Sequence, residues 1–531
     1  MNDEVFYLRE NVAVEPLVNR WYAWSALIPP TTAPLYFAHQ AKIMKSFVSA
    51  PQVHVAAVKN PALLGGPFLA YPPERAKEVS ALLDKNLREQ AELTAFAEAV
   101  AQLTALLATE GTGFSLQALY ARVPDVLRGY VELCYDASNR PTFRFLEGLL
   151  YRSKFYREDA QSLVFFPTET DERRFVFSTP RLEEKEGLEV QVPFRSPLLD
   201  RLFALRDTPA PRAAIEALLA ELGVKSFGDA AASLFSTTAP TRNRTPVPAG
   251  EVRVRYLGHA CLLIETSEVS VLTDPVISYP YATGIPRYSY ADLPDKIDYV
   301  VITHAHADHL MFETLLQLRA KIGTIIVPKS SGLPFDPSLK LILEHTGFPR
   351  VRELDELEVI PIPGGELTGV PFLGEHGDLA IRSKIAFHVR LHGKGILAAA
   401  DSNAIEPRLY EHLRDLLGTT DALFLGMECE GAPMSWIYGP LMATPLARKM
   451  DQTRRLDGSD GARAAAIVDL LQAKRVFIYA MGIEPWLNHV VAVGEHQVGP
   501  RMDESDAVVA HCRSLGIPAE RPVGMMELLL P

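Results

Sequence analysis

The stretch Thr303-His304-Ala305-His306-Ala307-Asp308-His309 puts three imidazoles and a carboxylate within six positions. The apolar run Tyr299-Val300-Val301-Ile302 leads into it, and Met311-Phe312-Glu313-Thr314-Leu315-Leu316, helical in its spacing, leads out. A strand that ends in such a cluster aims its ligands at one point above the sheet edge. His304 and His306 are two apart, so in extended backbone they face the same side. Asp308 and His309 lie beyond the strand end, where a turn can aim them at a second ion. The spacing His-x-His-x-Asp-His therefore fits two metal ions better than one. A lone histidine has an ordinary packing explanation; three beside an aspartate at a strand end do not.

Strands and helices alternate around this motif. Candidate strands cover 252–256, 261–266, 269–273, 299–303, 324–327, 358–362, 385–391, 396–400, 422–425 and 476–479. Candidate helices cover 311–320, 407–417, 461–473 and 503–515. Gly393-Lys394 supplies a hairpin turn. The fold class is α/β, with two packed sheets and helices outside. The Pro- and Thr-rich segment 236–250 has no apolar period and reads as a linker. It divides the chain into residues 1–245 and 246–531. The first part is mixed α/β, with strands expected at 6–8, 53–58, 162–166, 174–177 and 189–192. Residues 74–107 carry apolar side chains at helical spacing, as one long amphipathic helix or two in series, and 114–135 reads as another. No catalytic motif stands out here, and the amphipathic faces suit dimerisation and docking.

A net charge of −12 over 531 residues argues against generic nucleic-acid binding. The four cysteines, Cys134, Cys261, Cys429 and Cys512, are scattered and form no C-x-x-C pair. That pattern fits reduced thiols in a cytoplasmic protein. No secretory signal is visible, and no apolar run is expected to span a membrane.

Several further landmarks accompany the histidine motif. They are Arg255-Tyr256-Leu257-Gly258-His259-Ala260-Cys261-Leu262-Leu263-Ile264-Glu265, Val271-Leu272-Thr273-Asp274-Pro275, Phe372-Leu373-Gly374-Glu375-His376-Gly377-Asp378 and Ile396-Leu397-Ala398-Ala399-Ala400-Asp401. Together they resemble the metallo-β-lactamase superfamily over about residues 250–531. The resemblance implies an αββα sandwich, a bridging Asp401 and a third ligand motif at Glu375-His376. It also implies a last ligand near the C-terminal end, for which His489 is best placed, with His496 and His511 as alternatives. His259 lies in a turn near the site in relatives, and hydrogen bonding is expected of it, not metal ligation. Glu375 and His376 are adjacent, so in extended backbone only one points inward. His376 is the default in the superfamily's zinc hydrolases. With Glu375 inward the site holds three carboxylates (Asp308, Glu375, Asp401), a set that suits iron or manganese better than zinc.

A metallo-β-lactamase domain behind some 240 residues, with Glu at the third motif, resembles the non-haem diiron β-hydroxylases of nonribosomal peptide synthesis, in particular their chloramphenicol-pathway type. That resemblance implies two iron ions in an oxo-bridged centre, O₂ as co-substrate, and an aryl amino acid such as p-aminophenylalanine held as a thioester on a synthetase thiolation domain. His304, His306 and Glu375 would hold one iron; Asp308, His309 and His489 would hold the other, with Asp401 bridging. No flavin or Fe–S motif is visible, so electrons would come from an external donor. Glu430, after the strand at 422–425, is a candidate proton relay. Met434, Trp436 and Tyr438 are candidates for an aryl pocket. The competing reading is a dizinc hydrolase, a lactonase or phosphodiesterase, in which a metal-bound hydroxide attacks an ester or phosphate.

Overall fold

The computed structural model describes all residues except 1–3, 61, 62, 64, 184–186 and 492–498. His496 lies outside the described residues. Two seven-stranded sheets pack face to face. The first runs, edge to edge, through Val351–Leu354, Ile322–Pro328, Ile297–Val301, Ser270–Thr273, Cys261–Glu265, Val252–Gly258 and Met526–Leu530. The second runs through Val359–Ile362, Gly365–Val370, Ala386–Leu391, Lys394–Ala398, Ala422–Gly426, Val476–Tyr479 and Ala519–Glu520. Val254, Ile264, Val301, Phe387, Phe424 and Tyr479 fill the space between them. Strands buried on both faces are apolar throughout, as in Ala422-Leu423-Phe424-Leu425. Helices Arg408–Leu417, Gly461–Leu471 and Pro500–Ser514 cover the outside of the second sheet. Helices Phe312–Leu318 and Leu339–His345 cover the first, which completes the αββα sandwich.

Each sheet has a parallel centre. Ser270–Thr273, Ile297–Val301 and Ile322–Pro328 run parallel in one, and Lys394–Ala398, Ala422–Gly426 and Val476–Tyr479 in the other. Their carboxyl ends open on one edge of the sandwich, where ligand sites of parallel sheets form. Asp274, His304, Asp401, Glu428 and Ala480 all follow such ends.

The N-terminal part builds a four-stranded sheet ordered Trp21–Tyr22, Val12–Val18, Gln161–Pro167, Leu188–Gln191. Its core does not stop at the linker. Val14, Phe47, Phe165 and Phe194 belong to the same buried cluster as Leu263, Val300, Phe312 and Phe348. The two parts therefore share one hydrophobic core.

Several local expectations change. Residues 53–58 lie in a helix, Pro51–Val58, not a strand. A short apolar run is ambiguous between the two, and Pro51 at the first turn favours helix. Residues 114–135 form two 3₁₀ turns, Leu116–Arg122 and Asp125–Leu127, then a strand, Val131–Tyr135, which pairs with Pro141–Phe145. Pro124 and Gly129 interrupt any continuous helix there. Residues 174–177 are irregular. The amphipathic stretch becomes two helices, Ala76–Glu89 and Ala91–Glu110, both packed on Ala33–Ser49. Phe96, Val100, Leu103 and Leu107 are buried against the Val131–Tyr135 hairpin. The faces that suggested dimerisation are thus largely covered within the chain. Ala91–Glu110 is, contrary to expectation, long and apolar enough to cross a membrane by length and composition. In the fold it contributes a face to a core.

Candidate metal centre

Strand Ile297–Val301 ends just before the motif, and the chain then turns tightly through 305–310. Thr303 anchors that turn: its N–H and hydroxyl both donate to Asp274, at 2.7 and 2.6 Å. His304 Nε2, His306 Nδ1 and a Glu375 carboxylate oxygen converge on one point, and His259, Asp308 and His309 on a second. Asp401 joins them, with Oδ2 3.1 Å from His309 Nε2 and 3.8 Å from His304 Nε2. His306 Nδ1 lies 2.6 Å from Glu375, and His259 Nε2 3.1 Å from Asp308.

The outer nitrogens of three of these imidazoles are already engaged. Asp274 lies 2.8 Å from His309 Nδ1, Thr303 Oγ1 3.0 Å from His304 Nδ1, and Tyr438 Oη 3.0 Å from His306 Nε2. Such contacts orient a metal ligand and fix its tautomer. Most of the inward atoms face one another at close range without a directed hydrogen bond. His259 Nε2, His304 Nε2, His309 Nε2, Glu375 Oε2 and Asp401 Oδ1 are buried and make no hydrogen bond. Buried polar atoms are rarely left so, and here they face one another across spaces sized for cations. The donor set, imidazole nitrogen mixed with carboxylate oxygen, fits iron.

The charges agree. Burial works against ionised Glu375, yet His306 and His376 hold its carboxyl down at about 2. Burial also opposes a charged His309, but Asp401, Asp274 and Asp308 raise its pKa well above the ordinary value. Carboxylates that draw protons onto their neighbours in this way would draw a cation instead, with release of those protons.

Backbone strain gathers at the same edge. His259, Asp274, Glu375, Ala400 and Ala480, none a glycine, have φ of 52°, 32°, 73°, 47° and 50°. Residues held in the left-handed region cost energy and cluster where a site demands them. At Glu375 this overturns the premise of an extended backbone. Both neighbours pack inward: Glu375 reaches His306, while His376 stacks on the His306 ring at 4.7 Å. The structure groups Glu375 with the histidines, and His376 stands beside that group.

The structure does not bring His489 to the cluster. After strand Val476–Tyr479 the chain passes through Glu484, bound to the Tyr256 hydroxyl, and a 3₁₀ turn, Pro485–Leu487, before the short helix Asn488–Val491. That path sets His489 against Tyr22 and 3.7 Å from Glu313. His259 stands beside Asp308 and His309 instead, within reach both of hydrogen bonding to Asp308 and of a shared cation. The signal was the Gly258-His259-Ala260 turn at the end of a buried strand, whose left-handed backbone swings the imidazole over Asp308. His511 lies on an outer helix beside Asp469.

Glu430 also sits differently from the expected relay. It is exposed at the cavity rim and ion-paired with Arg501 at 2.9 Å. Glu428, two residues earlier, is deeper, and burial pushes its carboxyl up to about 7. Of the two it is the better placed to hold a proton near neutrality. Both line a cavity of about 590 Å³ that reaches His306, Asp308, Glu375 and Asp401. Its walls come from both parts of the chain, with Trp24, Tyr36 and Phe177 from one and Trp436 and Ile437 from the other.

With a metal on His306 Nδ1, its Nε2 would carry the proton and donate to the Tyr438 oxygen. Tyr438→Phe is expected to weaken metal binding by about tenfold or more. Titration of metal-free protein with Co(II), followed by its visible spectrum, measures this. Affinity and spectrum equal to wild type would show that the hydroxyl does not hold the ligand.

Residues 7–240 match the family described as diiron non-heme beta-hydroxylase N-terminal domain, and residues 253–398 match the beta-lactamase superfamily domain. The chain is 39% identical over 526 residues to the 4-amino-L-phenylalanyl-[CmlP-peptidyl-carrier-protein] 3-hydroxylase of Streptomyces venezuelae, covering 97% of this chain and 98% of that one. It superposes on the crystal structure of CmlA, a diiron beta-hydroxylase from Streptomyces venezuelae, with a TM-score of 0.91 over 100% of both chains. A shorter similarity, 35% over 80 residues, links it to the cytidine monophosphate-N-acetylneuraminic acid hydroxylase of Asterias rubens, over 14% of this chain and 12% of that one.

Proposed function

This chain belongs to the diiron non-heme β-hydroxylases, and on that premise we propose that it hydroxylates the β-carbon of an aryl amino acid tethered as a thioester to a peptidyl carrier protein, p-aminophenylalanine being the first candidate. What carries this reading is the similarity along the whole chain to an enzyme named for such a substrate. The cavity supports it, because both halves of the chain build it and it exceeds what one amino acid fills. A dizinc hydrolase is not favoured: a relative that matches both parts is a hydroxylase.

In this reading His304, His306 and Glu375 hold one iron, His259, Asp308 and His309 the other, and Asp401 lies between. Bound there, the iron pair supplies the oxidising power with O₂ for C–H hydroxylation, chemistry beyond any protein side chain. The protein's residues do the rest. Asp274, Thr303 and Tyr438 orient the imidazoles. Trp24, Tyr36, Phe175 and Phe177 exclude water and offer edges and faces to an aryl ring. Glu428, its carboxyl pushed up to about 7 by burial, can take up or release a proton on the cavity wall. Reducing equivalents come, in this reading, from an external donor.

Contacts to the carrier and its arm add binding energy that positions the β-carbon. The free amino acid lacks them and should be a poor substrate. Free and carrier-loaded amino acid, compared under identical reducing conditions with O₂, test this. Equal hydroxylation of both would remove the carrier from the reading.

A further inference from the structure

The cavity wall drawn from the N-terminal part is aromatic. Trp24 meets Tyr36 edge-on at 5.2 Å and Phe177 at 5.5 Å, and Phe177 meets Phe175 at 5.6 Å. Three polar side chains interrupt this wall: half-buried His39, and the buried Gln40 and Ser178. Gln40 stands one helical turn after Tyr36, on the same face of Ala33–Ser49. Ser178 follows Phe177. They are 7% and 5% exposed, and both line the cavity.

Their neighbours' polar atoms are used inside the protein. The Tyr36 hydroxyl donates to the Ile437 carbonyl, and Thr179 Oγ1 accepts from the Ala70 N–H at 2.9 Å. Among the described residues, no protein group bonds the side chain of Gln40 or Ser178, and neither appears among the sealed-off buried polar atoms. Their polar atoms therefore open onto the cavity, and a phenyl ring seated there would dry them without giving a partner, so a wall built only to hold such a ring would be better served by leucine or methionine at position 40.

We propose that Gln40 and Ser178 determine specificity for the ring: they select an aryl group that bears a hydrogen-bonding substituent, amino or hydroxyl, over plain phenyl. The proposal deepens the aryl-substrate reading above and rests on it. An amide and a hydroxyl each donate and accept, so either substituent is satisfied. A phenyl ring would displace water from both groups and return nothing. Sites that hydrogen-bond a substrate group discriminate strongly against the analogue without it, for this reason. The rival occupant is water. Gln40 also borders a second, small cavity of about 20 Å³ beside Leu27 and Phe37, room enough for one.

The test has two arms. In the first, wild type, Gln40→Leu and Ser178→Ala act on carrier loaded with p-aminophenylalanine, tyrosine or phenylalanine. Wild type is expected to favour the two polar rings in kcat/KM, and Gln40→Leu to shrink that preference by about tenfold or more while still turning over the phenylalanyl form. Ser178→Ala, a mild change, should shrink it in the same direction. A preference unchanged in both variants, or an equal loss on all three substrates, would overturn the proposal in favour of a bound water. The second arm needs no carrier. p-Toluidine and toluene are titrated into the protein, with tryptophan fluorescence as the readout beside Trp24. Tighter binding of p-toluidine to wild type, lost in Gln40→Leu, supports the proposal even if no carrier-loaded substrate turns over, an outcome that would sink the carrier reading alone. Equal binding of both probes to wild type overturns it.

Discussion

Glu375→Ala should leave fewer than two irons per chain and abolish turnover, whereas His376→Ala should keep both irons. The two side chains are adjacent and both buried, so sequence position and burial do not tell them apart. Geometry does. Glu375 Oε1 lies 2.6 Å from His306 Nδ1 and its Oε2 3.7 Å from His304 Nε2, so both its oxygens face the inward nitrogens of the motif. The nearest acid to His376 Nδ1 is Glu375 itself, at 2.9 Å. With its carboxyl held near a pKa of about 2, Glu375 is ionised throughout the neutral range and needs no proton removed before it binds a cation. Loss of a supporting residue typically costs roughly 10–100-fold in metal affinity or activity, and loss of a ligand should exceed that. Because φ at Glu375 is 73°, alanine keeps the strained backbone and loses the side-chain contacts that hold it. Glu375→Gln, which keeps the shape and removes the charge, separates the effects and should also lose iron. Iron per chain by elemental analysis, with near-ultraviolet charge-transfer absorption, measures both. Iron lost from His376→Ala but kept in Glu375→Gln would reverse the assignment.

The metal motif was legible because it is local: six consecutive positions carry four of the converging side chains. The sandwich was legible because its central strands are apolar runs between polar turns. What escaped the sequence depends on backbone that no pattern encodes. The left-handed turns at His259 and Glu375 decide which side chains face the ions, and a periodicity argument assumes regular backbone at those very points. His489 was misplaced for a related reason. Its distance from the last central strand suits a ligand, but the 3₁₀ turn at Pro485–Leu487 carries it past the sheet edge into the N-terminal half. Gly365–Val370, paired on both sides, and the edge strand Met526–Leu530 were missed because they are held by their neighbours, not by their own alternation. The shared core escaped because a linker-like composition at 236–250 says nothing about whether the parts it joins pack together.

The second large effect is expected where those parts meet. Arg173→Ala should destabilise the protein by about 3–5 kcal/mol, because it removes the centre of a buried ion network and strands its acids. Arg173 donates to Glu313 at 2.9 and 2.8 Å and to Glu15 at 2.8 Å. Glu15 also takes Arg181, and Glu313 accepts from Tyr22 and Tyr279 at 2.9 and 2.8 Å. The four charges sum to zero, and the side chains of Arg173, Glu15 and Glu313 are 8%, 3% and 3% exposed. Burial alone would protonate both acids; the arginines outweigh it and hold Glu15 down at about 2 and Glu313 well below its ordinary range. Folded-state pKa values depressed in this way give stability that is present above the unfolded value of about 4.5 and is lost as pH falls toward 2. Wild type should therefore lose stability steeply across that window, and Arg173→Ala should show a lower and flatter acid limb. Urea midpoints measured from pH 7 down to pH 3 report both. The double change Arg173→Met with Glu313→Leu should recover much of the loss, since it removes a charge from each side of the pair. A single-variant loss under about 1 kcal/mol would mean that the pair behaves like an exposed one. Glu313 lies in Phe312–Leu318, the helix that leaves the metal motif, while Arg173 lies two residues before Phe175 on the aromatic wall. The network thus fixes the wall that would hold an aryl ring relative to the cluster that would oxidise it.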